Sequence, residues 1–250
     1  MVPKYLADGG EAALAKTSGY GQYCPLAMSA GLLCNRWTML VIRELLDGST
    51  SFNEIARGVP LMSRTLLSNR LKELEAARLI TRSGRPGGNK VNYRLSEAGQ
   101  ALGPVVRTMA EWGQSWIDVE PSLERVDVDF LMWDIRRNVR RIEGLPARFV
   151  VQFEFEDAPE GKKQHWLIMT EQEVDLCHID PGYEVDVFLG TNLRTMAAVW
   201  MGWRDLQSAI ASDEISIDGD RRLAAMTPKW LGLSGLAHIR KQPAPLRVRP

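Results

Sequence analysis

The chain is poor in cysteine and histidine and has no long apolar run, and each shortage removes a class of protein. Its three cysteines, Cys24, Cys34 and Cys177, are odd in number and widely spaced, which argues against a disulfide framework and leaves no Cys-x-x-Cys zinc site. Of the three histidines, His165 and His238 lie far apart without metal-ligand spacing, so neither a metal nor a cofactor is expected. No stretch approaches the roughly 18 uninterrupted apolar residues of a membrane span. The opening MVPKYLADGGEAALAK meets Asp8 and Glu11 before any apolar run and so does not read as a secretory signal. These absences together describe a cytoplasmic chain with no membrane partner. The GxSxG, HExxH, P-loop and GxGxxG patterns are also missing. Cys177 and His178 are adjacent, but in a predicted strand neighbouring side chains point to opposite faces and do not pair easily as nucleophile and base. No catalytic residue is expected, and the chain reads as a non-enzyme.

Net charge is also lacking, since 31 basic residues balance 31 acidic ones, but the balance hides a split. Between Arg36 and Arg107 there are twelve basic residues against six acidic, a balance of +6. Between Asp118 and Asp220 there are ten against twenty-two, a balance of −12. The first half has the sign that approaches phosphates, and the second would repel them.

Four segments follow from pattern. Residues 1–22 are small, Gly-rich and unpatterned, a loose arm. Residues 23–117 hold helices and a strand pair, residues 122–235 an α+β arrangement, and residues 240–250 a Pro- and Arg-rich tail expected to be disordered. In the second segment Pro25 opens a helix, and Trp37, Leu40, Val41, Glu44 and Leu45 recur at helical spacing up to a stop at Asp47-Gly48. Ser51 with Glu54 fits a capping box, and Gly58-Val59-Pro60 ends that helix. Ser63 caps a third, with Leu66, Leu67, Leu71 and Leu74 as its buried stripe. Strands at 79–82 and 91–95 flank the Gly-rich loop SGRPGGNK. Pro104 then starts a helix whose Val105, Met109, Trp112 and Trp116 share one face.

A short helix, a tight turn and a second helix with a polar, basic outer face make a helix-turn-helix. Base edges in the major groove offer donors and acceptors that Arg, Asn, Ser and Thr can read from a helix. Ser63, Arg64, Thr65, Ser68, Asn69 and Arg70 are therefore the candidate DNA-binding residues, with Arg85 and Lys90 on the wing for phosphate contact. Double-stranded DNA is the expected partner.

The run Cys24-Pro25, RWTMLVIRELLDG at 36–48, FNEI at 52–55, SRTLLSNRLKELE at 63–75 and VNYRLSEAG at 91–99 resembles the HxlR-type winged helix-turn-helix regulators. Cys34-Asn35-Arg36 stands where that family often has Gly-Gly-Lys before the Trp. The resemblance implies a homodimer on a palindromic operator, with the helix at 103–116 in the dimer contact. It also implies a redox or electrophile input through Cys24, whose thiolate would be favoured by amides at a helix start; an inert, buried cysteine is the other reading. Cys34 is expected in the core.

Beyond Pro121 a helix at 127–139 is followed by strands at 149–156, 165–170, 174–179 and 184–189, then a helix capped by Thr191, and further helices at 204–211 and 223–230. The fold class expected for the whole is α+β, a winged helix-turn-helix followed by an α+β domain with an antiparallel sheet. LRTMAAVW at 193–200 and ISIDGD at 215–220 resemble the sterol-carrier-protein-2 (SCP2-like) type of domain. That resemblance implies a small apolar or aromatic ligand between sheet and helices, with Phe153, Phe155, Trp166, Phe188, Met196, Trp200 and Trp203 as candidate lining. Plain core filling, or extra dimer surface, is the alternative role for this half; a further alternative is a ligand carrier or enzyme with the winged helix as interaction scaffold.

Overall fold

Local capping chemistry sets the first group of helices. The computed structural model describes residues 20–84 and 91–249. Helix α1 (Pro25–Leu33) begins with Pro in its first turn, and α2 (Thr38–Leu46) follows after Trp37, which takes a left-handed φ of 76°. In α3 (Phe52–Gly58) the Ser51 hydroxyl accepts the Glu54 amide while the Glu54 carboxylate accepts the Ser51 amide, so two orphan donors are satisfied reciprocally. Ser63 caps α4 (Arg64–Ala76) by accepting the Leu66 amide. Strands β1 (Ile80–Ser83) and β2 (Asn92–Leu95) pair antiparallel, with Ile80 opposite Leu95. The short α5 (Glu97–Gln100) leads into α6 (Gly103–Trp116). Val41, Ile42, Ile55, Leu67, Leu71, Leu74 and Ile80 form one buried core. Leu66, expected in that stripe, is exposed instead, because the buried side of α4 is the narrower line of Leu67, Leu71 and Leu74.

The second half packs helices on one face of a five-stranded sheet. After α7 (Glu120–Leu123), Asp127 caps α8 (Val128–Asn138) at the Phe130 amide. The strands are β3 (Phe149–Phe155), β4 (Gln164–Met169), β5 (Val174–Cys177), β6 (Val187–Thr191) and β7 (Ile215–Gly219), in the order β5-β4-β3-β6-β7. Three of the four pairings are antiparallel, but β3 and β6 run parallel, so the sheet is mixed rather than antiparallel. The cause is the crossing from the β5 edge to the far side of β3, which brings the chain into β6 in the direction of β3. Asp186 fixes that entry, its carboxylate accepting the Val150 amide at 2.8 Å. Helices α9 (Leu193–Trp200) and α10 (Leu206–Ala211) lie between β6 and β7, and α11 (Arg221–Ala225) and α12 (Thr227–Trp230) follow. Asn192, not Thr191, caps α9 by accepting the Thr195 amide; Thr191 is the last residue of β6.

Strand parity then builds the second core. Phe149, Val151, Phe153 and Phe155 face the helices together with Met132, Met196, Trp200 and Trp230, while Val150, Trp166 and Ile168 cluster on the opposite face. The tail expected to be disordered is tied down instead. Val248 donates to the Trp116 carbonyl and accepts the Asp118 amide, both at 2.8 Å, and Lys241 Nζ donates to the carbonyls of Gln114 and Ile117. Its prolines cost no ladder bond here, because only isolated contacts are made.

The two halves meet at a buried carboxylate. Glu44 of α2 is 0% exposed. It accepts Trp133 Nε1 at 3.3 Å from α8 and pairs with Arg137 at 3.1 Å and with Arg43 at 2.8 Å. Gln114 of α6 adds a second joint, donating to the Met201 carbonyl and accepting Trp203 Nε1, both at 3.1 Å.

Candidate nucleic-acid interface and adjoining clefts

The Ser63 cap sets where the polar face of α4 begins. Ser63, Arg64, Thr65 and Asn69 are exposed, and Ser68 and Arg70 are half-buried. The arginines differ from simple outward-pointing groups. Arg64 donates to Asn53 Oδ1 at 2.6 Å and lies 4.9 Å over the Phe52 ring, so α3 holds it in place. Arg70 pairs with Glu73 and reaches the Arg36 carbonyl at 3.4 Å. Arg82 is exposed on β1, and Gly84 takes a φ of 138° where the chain leaves the strand. Arg85 and Lys90 lie outside the described residues. Asn53, which the sequence reading passed over, is exposed beside Arg64.

The residues read as a ligand lining do not share one cavity. Phe153, Phe155 and Met196 are fully buried in the core beneath the helices. Trp166 and Phe188 stand on the other face of the sheet, in register with Gln152, and Phe188 is exposed. Only Trp200 and Trp203 reach a cleft. That cleft, of about 390 Å³, lies between the two halves and is walled by Trp37, Leu40 and Leu61 on one side and Phe130, Trp200 and Trp203 on the other. The sequence gives no sign of it, because its walls come from segments far apart in the chain.

Two apolar faces are open. Helix α1 buries none of its residues, and Tyr23, Leu26 and Met28 are exposed. On α6, Val105, Met109, Trp112 and Trp116 are exposed on one side. Cys24 immediately precedes α1, fully exposed, and the amides of Ala27 and Leu26 hold its thiol below the usual thiol range. Cys34, expected in the core, is exposed at the end of α1, since that helix has no buried residue and only Leu33 leans against the core.

A third grouping escaped the sequence reading, which expected no metal site. Cys177 and His178 do part to opposite faces: Cys177 packs against Val150 and Trp166, while the His178 ring lies 4.9 Å from that of His165. Asp129, in the first turn of α8, completes a set whose ligand atoms lie within 4.8 Å of one another. Burial, then the neighbouring His178, pushes the His165 pKa down to about 4.

Residues 32–121 match the family described as HxlR-like helix-turn-helix. The uncharacterized HTH-type transcriptional regulator YvaP of Bacillus subtilis (strain 168) is 35% identical over 99 residues, which is 39% of this chain and 92% of that protein. The HTH-type transcriptional regulator YodB of the same organism is 39% identical over 97 residues, covering 38% and 87%. Among solved structures, the redox regulator HypR in its oxidized form is 34% identical, covering 38% of this chain and all of that one, at a TM-score of 0.36. The reduced form of YodB from B. subtilis is 40% identical, covering 37% and 93%, at 0.33.

Proposed function

Because this chain belongs to the HxlR-like helix-turn-helix family of transcriptional regulators, we propose that it binds a palindromic operator as a homodimer, reading bases through α4. The exposed Ser63, Arg64, Thr65 and Asn69 at the first turns of α4 carry this reading, because that end of the helix enters the major groove in a helix-turn-helix. Ser68 and Arg70 lie beside them, and Arg85 and Lys90 on the wing would add phosphate contacts. The open apolar faces of α1 and α6 supply the dimer seam, since contiguous exposed Trp, Met and Leu side chains favour burial against a second copy. Among the described residues no helix is long and apolar enough to cross a membrane.

The second half acts as the sensor, an SCP2-like α+β module carrying a cleft rather than an internal cavity. A small apolar or aromatic ligand fits between Trp37 and Leu61 on the DNA-binding side and Phe130, Trp200 and Trp203 on the other. A ligand there touches both halves, so it would favour one arrangement of them over another and change operator affinity. A thiol input is the second reading, favoured by the exposure of Cys24 and by the helix-start amides that promote its thiolate.

The test is binding of the full chain to a fluorescent duplex from its own upstream region across a salt series, with scrambled DNA as competitor. Competitor-resistant binding that weakens steeply with salt, and is lost in Thr65→Ala plus Asn69→Ala, supports the reading. Selective binding that survives that double substitution moves base recognition away from α4. Equal affinity for both duplexes, reduced or oxidised, removes the case for this operator.

A further inference from the structure

We propose that Asp129, His165 and His178 form a binding site for a divalent first-row transition ion of the zinc class. Three independent features of the fold converge on this point. Strands β4 and β5 pair with Trp166 opposite Cys177, so His165 and His178 are the next opposed pair, on the face that α8 covers. Asp129 enters from the first turn of α8. One ligand atom from each residue lies within 4.8 Å of the other two, so rotamer adjustments of a few tenths of an ångström to about an ångström close the set around an ion with bonds of roughly 2.0–2.2 Å.

His165 supplies the second observation. It is 0% exposed, yet neither Nδ1 nor Nε2 has a hydrogen-bond partner among the described residues. Buried polar groups are nearly always paired, and an imidazole with two orphaned nitrogens is costly. A metal ion bound at one nitrogen supplies the missing partner.

The third feature is access. Asp129 and His178 open onto a cleft of about 550 Å³, which Gly161 and Lys162 share with Asn53, Arg57 and Arg64 of the DNA-binding half. Positions on the ion left free by the protein would be filled from this cleft by water. Two imidazoles and one carboxylate select borderline ions such as Zn²⁺ or Co²⁺ over Mg²⁺ and Ca²⁺, which prefer all-oxygen shells. Lys162 pairs with Asp129 Oδ2 and is the resident competitor, so the ion takes the other carboxylate oxygen or displaces the ammonium.

The experiment is a Co²⁺ titration of the chelator-treated full chain, followed by visible d–d absorption and then by displacement with Zn²⁺. One equivalent per chain is expected, insensitive to Mg²⁺ and Ca²⁺. His178→Ala, on an exposed side chain that the core does not need, should weaken Co²⁺ binding by about tenfold or more. It should do so with an unchanged far-ultraviolet dichroism spectrum, and Asp129→Asn should behave likewise. The proposal is overturned by the absence of d–d absorption on titration, or by equal affinity in the parent and in both variants, which would place the ion elsewhere. Intense thiolate charge-transfer absorption would equally overturn it, by assigning the ion to one of the three free cysteines. None of these results depends on operator binding.

Discussion

Glu44→Gln should destabilise the whole chain, by an amount the geometry allows us to work out. The carboxylate accepts Arg43 Nε and Nη2 at 3.2 and 2.8 Å, Arg137 Nη2 at 3.2 Å, Trp133 Nε1 at 3.3 Å and Ser49 Oγ at 3.4 Å. There is no slack around it, because a Cβ added at Gly58 would stand only 1.8 Å from the carboxyl carbon. Glutamine keeps the shape but replaces one acceptor oxygen with an amide nitrogen, which must then face a guanidinium or the Trp133 N–H. Breaking a buried ion pair from one side costs about 3–5 kcal/mol. The low end applies here, since the Arg43 and Arg137 side chains keep 29% and 12% exposure and can recover some hydration. A loss of about 3 kcal/mol lowers the melting temperature by roughly 6–12 °C in a chain of this size. Calorimetry and urea unfolding at neutral pH would measure it. Pairing the change with Arg137→Met in a double-mutant cycle should return a coupling of roughly 1–3 kcal/mol. A loss under about 1 kcal/mol with no coupling would refute the reasoning, because the carboxylate would then be hydrated in solution and the joint between the halves open.

Glu54 gives a pH-dependent counterpart. Burial pushes its carboxyl up, but the amides of Ser51 and Thr50, with their hydroxyls, outweigh it and hold the group below its ordinary 4.5. A depressed carboxylate adds stability that is present above the unfolded value and is lost as pH falls through the folded one. Glu54→Gln should therefore cost roughly 0.3–1 kcal/mol at pH 7, with the gap closing as the medium is acidified below pH 4.5; a gap that stays unchanged well below pH 4.5, measured by urea unfolding, would contradict the capping assignment. Trp112→Glu places a charge on the open face of α6, half exposed in the single chain. It should raise the dimer dissociation constant by about 100-fold or more, roughly 2.7 kcal/mol, read by light scattering across a dilution series. An unchanged dimer would move the seam off α6.

What the sequence makes legible here is what local chemistry decides. The Ser51–Glu54 capping box, the Ser63 cap and the Leu67–Leu71–Leu74 stripe each lie within a few residues, so propensity and spacing suffice to place α3 and α4. Features set by long-range pairing are silent. Glu44 shares the helical spacing of Val41 and Leu45, but nothing local names the groups that close over it, Trp133, 89 residues away, and Arg137, 93 away. Strand β7 offers only Ile215 and Ile217 as apolar positions and draws its stability from pairing with β6, so its pattern alone is too weak to name it. The tail composition suggests disorder because it counts prolines, not the carbonyls at the end of α6 that await donors. The same reason hides the three-residue cluster. His165 and His178 have no motif spacing, because it is the β4–β5 register that sets them side by side and α8 that brings Asp129 over them. A register shift of one residue would turn His165 to the other face of the sheet and dissolve the site. The cluster is therefore a property of the pairing, and Trp166 opposite Cys177 is the contact on which it depends.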